Sequence, residues 1–178
     1  MKFSWKIFFI TFLIIITSFG VGGFLLINTV FTNTLNNRID SAKKNNNYIT
    51  TALSVYADNN QPTYGNLEYL RVSAIGFAKQ IAGNSDSKIK IGSINELSFS
   101  AENEFAHGMS VNSRKSRVVT ENKKYYIQTI SKIQLVTKSC YIETVDNITS
   151  VYNDRDMYCT IYQFILIGVA LFASILLV

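Results

Sequence analysis

Two uncharged apolar runs bracket this chain and limit what it can fold into. The first follows Lys6 and extends from Ile7 to Val30; the second starts at Ile161 and reaches Val178. A bilayer core takes roughly 17–25 apolar residues of helix, so each run is long enough to cross one. Every charged side chain except Lys2 and Lys6 lies between them. The expected organisation is a short segment over 1–6, a transmembrane helix over 7–30, an outer domain over 31–160 and a second transmembrane helix over 161–178. An apolar run with no polar flank beyond it further predicts a chain cut from something longer.

The middle segment, about 130 residues, is large enough for one small domain with its own core. Its Tyr, Ile, Val and Phe recur throughout, which is not a disordered composition. Formal charge is +5, and setting aside Lys2 and Lys6 leaves +3 for the middle. No stretch interleaves dense Lys and Arg with aromatics, so nucleic acid is not an expected partner. The densest basic cluster is Arg114, Lys115 and Arg117 with Lys123 and Lys124. It reads as a solvated strand pair and turn, or as a contact for an anionic ligand, lipid headgroup or wall polymer.

Lys2 and Lys6 flank the first run directly, with Trp5 among them as an interface aromatic. Positive residues stay inside, so the N-terminus is expected in the cytoplasm and the middle domain outside the cell, in a multi-pass protein of the cell membrane. Ile7–Ile16 followed by small residues has the outline of a signal peptide. The apolar character continues through Val21, Phe24, Leu25, Leu26 and Ile27, which favours an uncleaved anchor. Tyr158 and Tyr162 sit where an outer aromatic belt would lie. Ser18, Gly22 and Gly23 suit close helix approach, although glycine is also simply common in membrane helices.

From Phe31 to Asn59 no proline or glycine intervenes, and Val30, Leu35, Ile39, Ala42, Ile49, Leu53 and Tyr56 recur at helical spacing. The membrane helix is therefore expected to continue outward, ending at Asn59–Thr63 with the only proline, Pro62. A second helix is expected over Tyr64–Ala82. About five strands should follow: 88–91, 96–100, 113–120, 124–132 and 139–145, with a loop over 101–112 and a turn at Glu121-Asn122-Lys123. Asp146 or Asn147 would cap a last helix carrying Ile148, Val151, Tyr152, Arg155, Tyr158 and Ile161. Helices followed by a run of strands predict an α+β fold with an antiparallel sheet.

The chain carries no CxxC, HExxH or Cys/His cluster, no catalytic Ser/His/Asp set and no paired-carboxylate motif, so neither a metal site nor catalysis is expected in this segment. Cys140 reads as a small core residue and Cys159 as a residue of an interfacial helix; a disulfide between them is possible only in an oxidising compartment. His107, the one histidine, lies in the loop AENEFAHGM. It reads as a solvated loop residue, as a ligand contact, as a pH sensor beside Glu102 and Glu104, or with those two as a weak cation site.

The opening MKFSWKIFFITFLIIITSFGVGGFLLI and the exit YIETVDNITSVYNDRDMYCTIYQFILIGVAL resemble the sensor region of Gram-positive-type sensor histidine kinases. The resemblance covers both ends and leaves about 61–122 poorly matched. It implies a PAS-like or Cache-like sensor domain between two membrane helices, a homodimer whose membrane helices form a four-helix bundle, and an extracellular ligand or envelope stress as signal. It also implies a cytoplasmic kinase, using ATP and Mg, that passes phosphate to a response regulator; none of that machinery lies in these residues. Within such a domain Arg71, His107, Tyr125 and Tyr141 are the candidate ligand contacts, with core packing as the alternative for the tyrosines. Leu35, Ile39, Val151 and Arg155 mark the helices that would transmit the signal. The same sensor type serves chemoreceptors and cyclic-dinucleotide enzymes, and a complete small envelope accessory or immunity protein is a third reading.

Overall fold

The computed structural model describes residues 3–59, 76, 87–99, 105–135 and 138–175. Helix α1 spans Phe3–Asn59, strands β1 to β4 span Lys88–Gly92, Arg114–Glu121, Lys124–Leu135 and Lys138–Asn147, and helix α2 spans Thr149–Ile175. The strands form one antiparallel sheet in the order β1-β4-β3-β2, an α+β arrangement as expected. By internal contacts the chain divides into two compact units, one of residues 36–149 and one of 1–35 with 150–178.

In the 36–149 unit, the sheet forms because its segments pair locally. Asn122 and Lys123 both take left-handed backbone angles, φ 49° and 61°, which closes the β2–β3 hairpin with Glu121 opposite Lys124. Two left-handed residues match the twist of the flanking strands, and asparagine is well suited to the first position. β3 and β4 then pair from Tyr126 opposite Asn147 to Leu135 opposite Lys138. These two central strands are covered on both sides: Ile127 to Ser131 and Ile142 to Val145 are all buried. That double burial explains why KYYIQTISK shows no clean polar–apolar alternation.

One sheet face takes α1. Ala42, Asn46, Ile49 and Leu53 are buried along one helical stripe, and Ile49 and Leu53 pack with Ile91, Ile133, Cys140 and Ile142. Each fully buried isoleucine contributes about 1.5–3 kcal/mol of burial free energy. The opposite face is covered by the segments around 94–97 and 105–109. Leu97, Ala106, Met109 and Ile130 cluster there with Ile94, Phe105 and Tyr141.

In the other unit, half-buried residues recur every three or four positions, at Phe12, Ile16, Gly20, Gly23, Ile27, Phe31 and Thr34 on α1 and at Tyr152, Arg155, Cys159, Tyr162, Leu166 and Ala170 on α2. That spacing is a helix–helix seam. Phe31 meets Tyr152 edge-on at 5.1 Å, and the Arg155 guanidinium lies 4.9 Å from the Phe31 ring centre. Further along, the Tyr162 hydroxyl donates to the Phe19 carbonyl, so the two segments run antiparallel. A Cβ on Gly23 would collide with the Tyr162 ring, whereas Gly22 has open space. Gly23 is thus the notch that this contact uses. The outward faces are apolar and uncovered by the chain; Leu26 is 66% exposed and Phe164 70%. Both helices are long and apolar enough to cross a membrane.

The expected elements differ from these in a few places. The strand expected over 96–100 is absent over its described part: Ile94–Glu96 form a 3-10 turn, because the Glu96 carboxylate folds back to accept the Ser93 N–H at 2.7 Å. Leu97 then turns into the core instead of a ladder. Among the described residues the sheet has four strands. β3 and β4 run longer than expected, to Leu135 and from Lys138 to Asn147. The expected helix over 64–82 lies outside the described residues, apart from Gly76, which is helical. Cys140 and Cys159 are free thiols.

Candidate functional site

α1 meets the sheet through a buried polar hub. Asn46 falls on the apolar stripe between Ala42 and Ile49 and is fully buried. Its amide nitrogen donates to the Thr129 carbonyl at 3.3 Å, the Ile142 carbonyl at 3.5 Å and the Thr144 hydroxyl at 3.3 Å. Its amide oxygen accepts from Arg114 Nε at 3.1 Å and from the Ser131 hydroxyl. Arg114 also donates to Asn47 at 2.6 Å and to Ser131 at 3.0 Å. One helical side chain therefore ties α1 to β2, β3 and β4 together. Buried polar groups of this kind fix one register, since any slide leaves several groups unpaired. Burial lowers the Arg114 pKa, the direction expected for a cation held partly out of water.

Beside the hub, where β4 ends, α1 and the sheet enclose a cleft of about 300 Å³ lined by Arg38, Ser41, Asn45, Ser87, Ile127 and Asp146 among others. Asp146 accepts a hydrogen bond from the Ser87 hydroxyl through one oxygen. The other oxygen, Oδ2, is buried with no hydrogen-bond partner among the described residues. Burial raises the Asp146 pKa, opposed by the Ser87 hydrogen bond and by the charge of Arg38. The next residue, Asn147, accepts from the Thr149 N–H at 3.0 Å and the Thr149 hydroxyl at 2.7 Å. Of the two expected capping residues it is Asn147 that bonds to the helix start.

The opposite face carries a second polar chain. Arg117 Nε donates to Gln128 at 2.7 Å, Gln128 donates to Glu143 at 2.6 Å, and the Ser98 N–H donates to the other Glu143 oxygen at 2.8 Å. Gln128 and Glu143 are both fully buried. Phe105 packs under the Arg117 guanidinium, 4.4 Å from its ring centre, and accepts from Lys115 through its carbonyl at 3.2 Å. The basic cluster is therefore not a free patch: Arg114, Lys115 and Arg117 are each engaged within the domain.

No protein-family model matches the chain, and neither the curated proteins nor the solved structures contain a match. The arrangement of side chains is accordingly what argues for a function.

Among the described residues, His107 and Tyr141 lie toward one face of the sheet and Tyr125 toward the other. Arg71 lies outside the described residues, as do Glu102 and Glu104. His107 is exposed in the loop over the face opposite α1, and Tyr141 packs on that same face, with Lys132 Nζ 5.7 Å from its ring centre. Tyr125 belongs to the other face by strand parity. Its backbone N–H donates to the Thr149 hydroxyl at 3.0 Å and its carbonyl accepts from Ile148 N–H at 2.9 Å, so it holds the start of α2. Of the transmission residues, Leu35 and Ile39 are half-buried, Val151 is buried and Arg155 stacks on Phe31. No group of three or more metal-ligating side chains forms among the described residues. The hub at Asn46 escapes a reading by hydrophobicity alone, although its spacing, four residues after Ala42 and three before Ile49, is the signal that would find it.

Proposed function

We propose that this chain is the membrane-spanning input region of a sensor histidine kinase, with a PAS-like sensor domain outside the cell and catalysis in a cytoplasmic kinase beyond these residues. ATP and Mg would serve that kinase, and its response regulator would be the downstream partner. One observation carries the reading. The helix that contains the first apolar run also supplies Asn46, whose side chain bonds to β3, β4 and, through Arg114, β2. The last of those strands ends at Asn147, two residues before α2 begins. A rearrangement in the sheet is thus coupled by hydrogen bonds to one apolar helix and by covalent connection to the other. Asn46 is paired here, and a helix displaced along the sheet would leave its buried partners unpaired, which would favour a discrete step over a gradual slide.

The exposed apolar faces of the helices are suited to lipid and, in a homodimer, to a second copy of the chain. The test is a fusion of the full chain to a histidine kinase catalytic region with a transcriptional reporter. Thr144→Val, which removes one hub contact, and a single residue inserted after Leu35, which rotates the helix beyond it by about 100°, should each shift reporter output. Unchanged output with both, at normal protein levels, would overturn the proposal.

A further inference from the structure

We propose that the cleft between α1 and the end of β4 binds a small zwitterion, an α-amino acid, with its ammonium on Asp146 and its carboxylate on Arg38. Three α1 side chains reach the cleft from one helical face, Arg38, Ser41 and Asn45, at spacings of three and four. Among the described residues none of the three makes a side-chain hydrogen bond, and Arg38 bears on Asp146 through its charge. Opposite them is the buried, unpaired Oδ2 of Asp146. A desolvated carboxylate oxygen without a donor costs on the order of 1–3 kcal/mol or more, so a site of this kind gains most from a ligand that supplies one.

The pairing of charges selects the ligand class. A metal cation would be repelled by Arg38, and a simple anion by Asp146. A molecule carrying both an ammonium and a carboxylate satisfies both walls at once, and a charge-assisted hydrogen bond to each is roughly twice as strong as a neutral one. The Ser41 hydroxyl and the Asn45 amide supply the neutral contacts that orient it. Ile127, with Ala42 and Ile148 beside it, gives an apolar wall for a side chain. Water takes about 30 Å³ in the liquid, so a cleft of about 300 Å³ has room for a small or medium amino acid.

For its consequence, though not for binding itself, the inference rests on the sensor reading. A bound amino acid would bridge α1 to the last turn of chain before α2. The test uses the full chain in nanodiscs, titrated by calorimetry with the standard L-amino acids one at a time. At least one should bind saturably at millimolar concentration or below, and its deaminated and decarboxylated analogues should each bind at least about tenfold more weakly. Asp146→Asn and Arg38→Gln should each cost at least about tenfold in affinity while circular dichroism stays unchanged. If Asp146→Asn does not fold, Arg38→Gln, at an exposed position, still decides. No saturable binding by any amino acid, equal binding of an analogue lacking one charge, or full affinity in Arg38→Gln would each overturn the site. Lost binding with a responsive kinase fusion would remove this site and leave the sensor reading. Binding with a silent fusion would keep the site and remove the sensor reading.

Discussion

The Asn46 amide nitrogen lies 3.3 Å from the Thr129 carbonyl oxygen, 83 positions further along the chain, in a spot where neither group meets water. The buried polar part of this helix–sheet contact passes through that side chain, with Asn47 accepting from Arg114 beside it. Ile49 and Leu53 hold α1 against the sheet by burial; Asn46 decides where along the sheet it sits.

Replacing Asn46 should therefore cost more than its volume implies. Asn46→Ala strips partners from Arg114, Ser131, Thr144 and two carbonyls. With about 1–3 kcal/mol for each buried group left unsatisfied and some rescue by water, a loss of about 2–4 kcal/mol is expected in denaturant titrations. Asn46→Leu should be no better, because the partners stay unpaired. A loss under about 0.5 kcal/mol, the range of an ordinary surface substitution, would show that the hub is not structural.

The pH dependence should carry the signature of Asp146. Its folded pKa lies above the ordinary value of 3.8, chiefly through burial, so the folded state binds the proton more tightly than the unfolded one. Stability from this group is then greatest at low pH and declines as pH rises from 3.8 through the raised folded value. Asp146→Asn should flatten that decline and stabilise the domain at neutral pH. Arg38→Gln, which removes a charge that lowers the Asp146 pKa, should steepen it. Melting curves across the acidic range check both.

The two thiols should differ sharply. Burial pushes the Cys140 thiol up to about 11, and the thiolate is the reactive species. Cys140 should react with maleimide on the order of a hundredfold more slowly than an ordinary exposed thiol at pH 8, and should become reactive on unfolding. Cys159, half-exposed on α2, should take the label first. Mass spectrometry of partially labelled protein reads the order directly.

Gly23 and Gly22 should part company as well. Gly23→Val pushes into the Tyr162 ring, while Gly22→Val meets open space. Overpacking of this kind costs about 1–3 kcal/mol. Thermal melts of the full chain in detergent should fall for Gly23→Val, stay level for Gly22→Val, and recover when Tyr162→Ala is added to Gly23→Val.

Much of this is legible in the sequence, and the limits have physical causes. The unbroken stretch before Asn59, the alternation in KIKI and the Glu121-Asn122-Lys123 turn follow from backbone preferences that act locally. Glu96–Phe99 has strand-like composition, yet one carboxylate reaching back to the Ser93 N–H turns the chain; composition does not register such a bond. Asn46, Gln128 and Glu143 are polar residues at buried positions, so hydrophobic periodicity passes over them. Asp146 was visible only as a capping residue, because its cleft is assembled from α1, the residue before β1 and the end of β4. Such a site exists only after folding has brought distant segments together.

The most direct test of the central claim is sidedness. In a chain with Cys140→Ala and Cys159→Ala, single cysteines are introduced as His107→Cys, on the exposed loop, and as Lys2→Cys, and intact cells are treated with a membrane-impermeant maleimide. The account predicts that His107→Cys is labelled in intact cells and Lys2→Cys only after permeabilisation. Equal labelling at the two positions, or the reverse pattern, would contradict it.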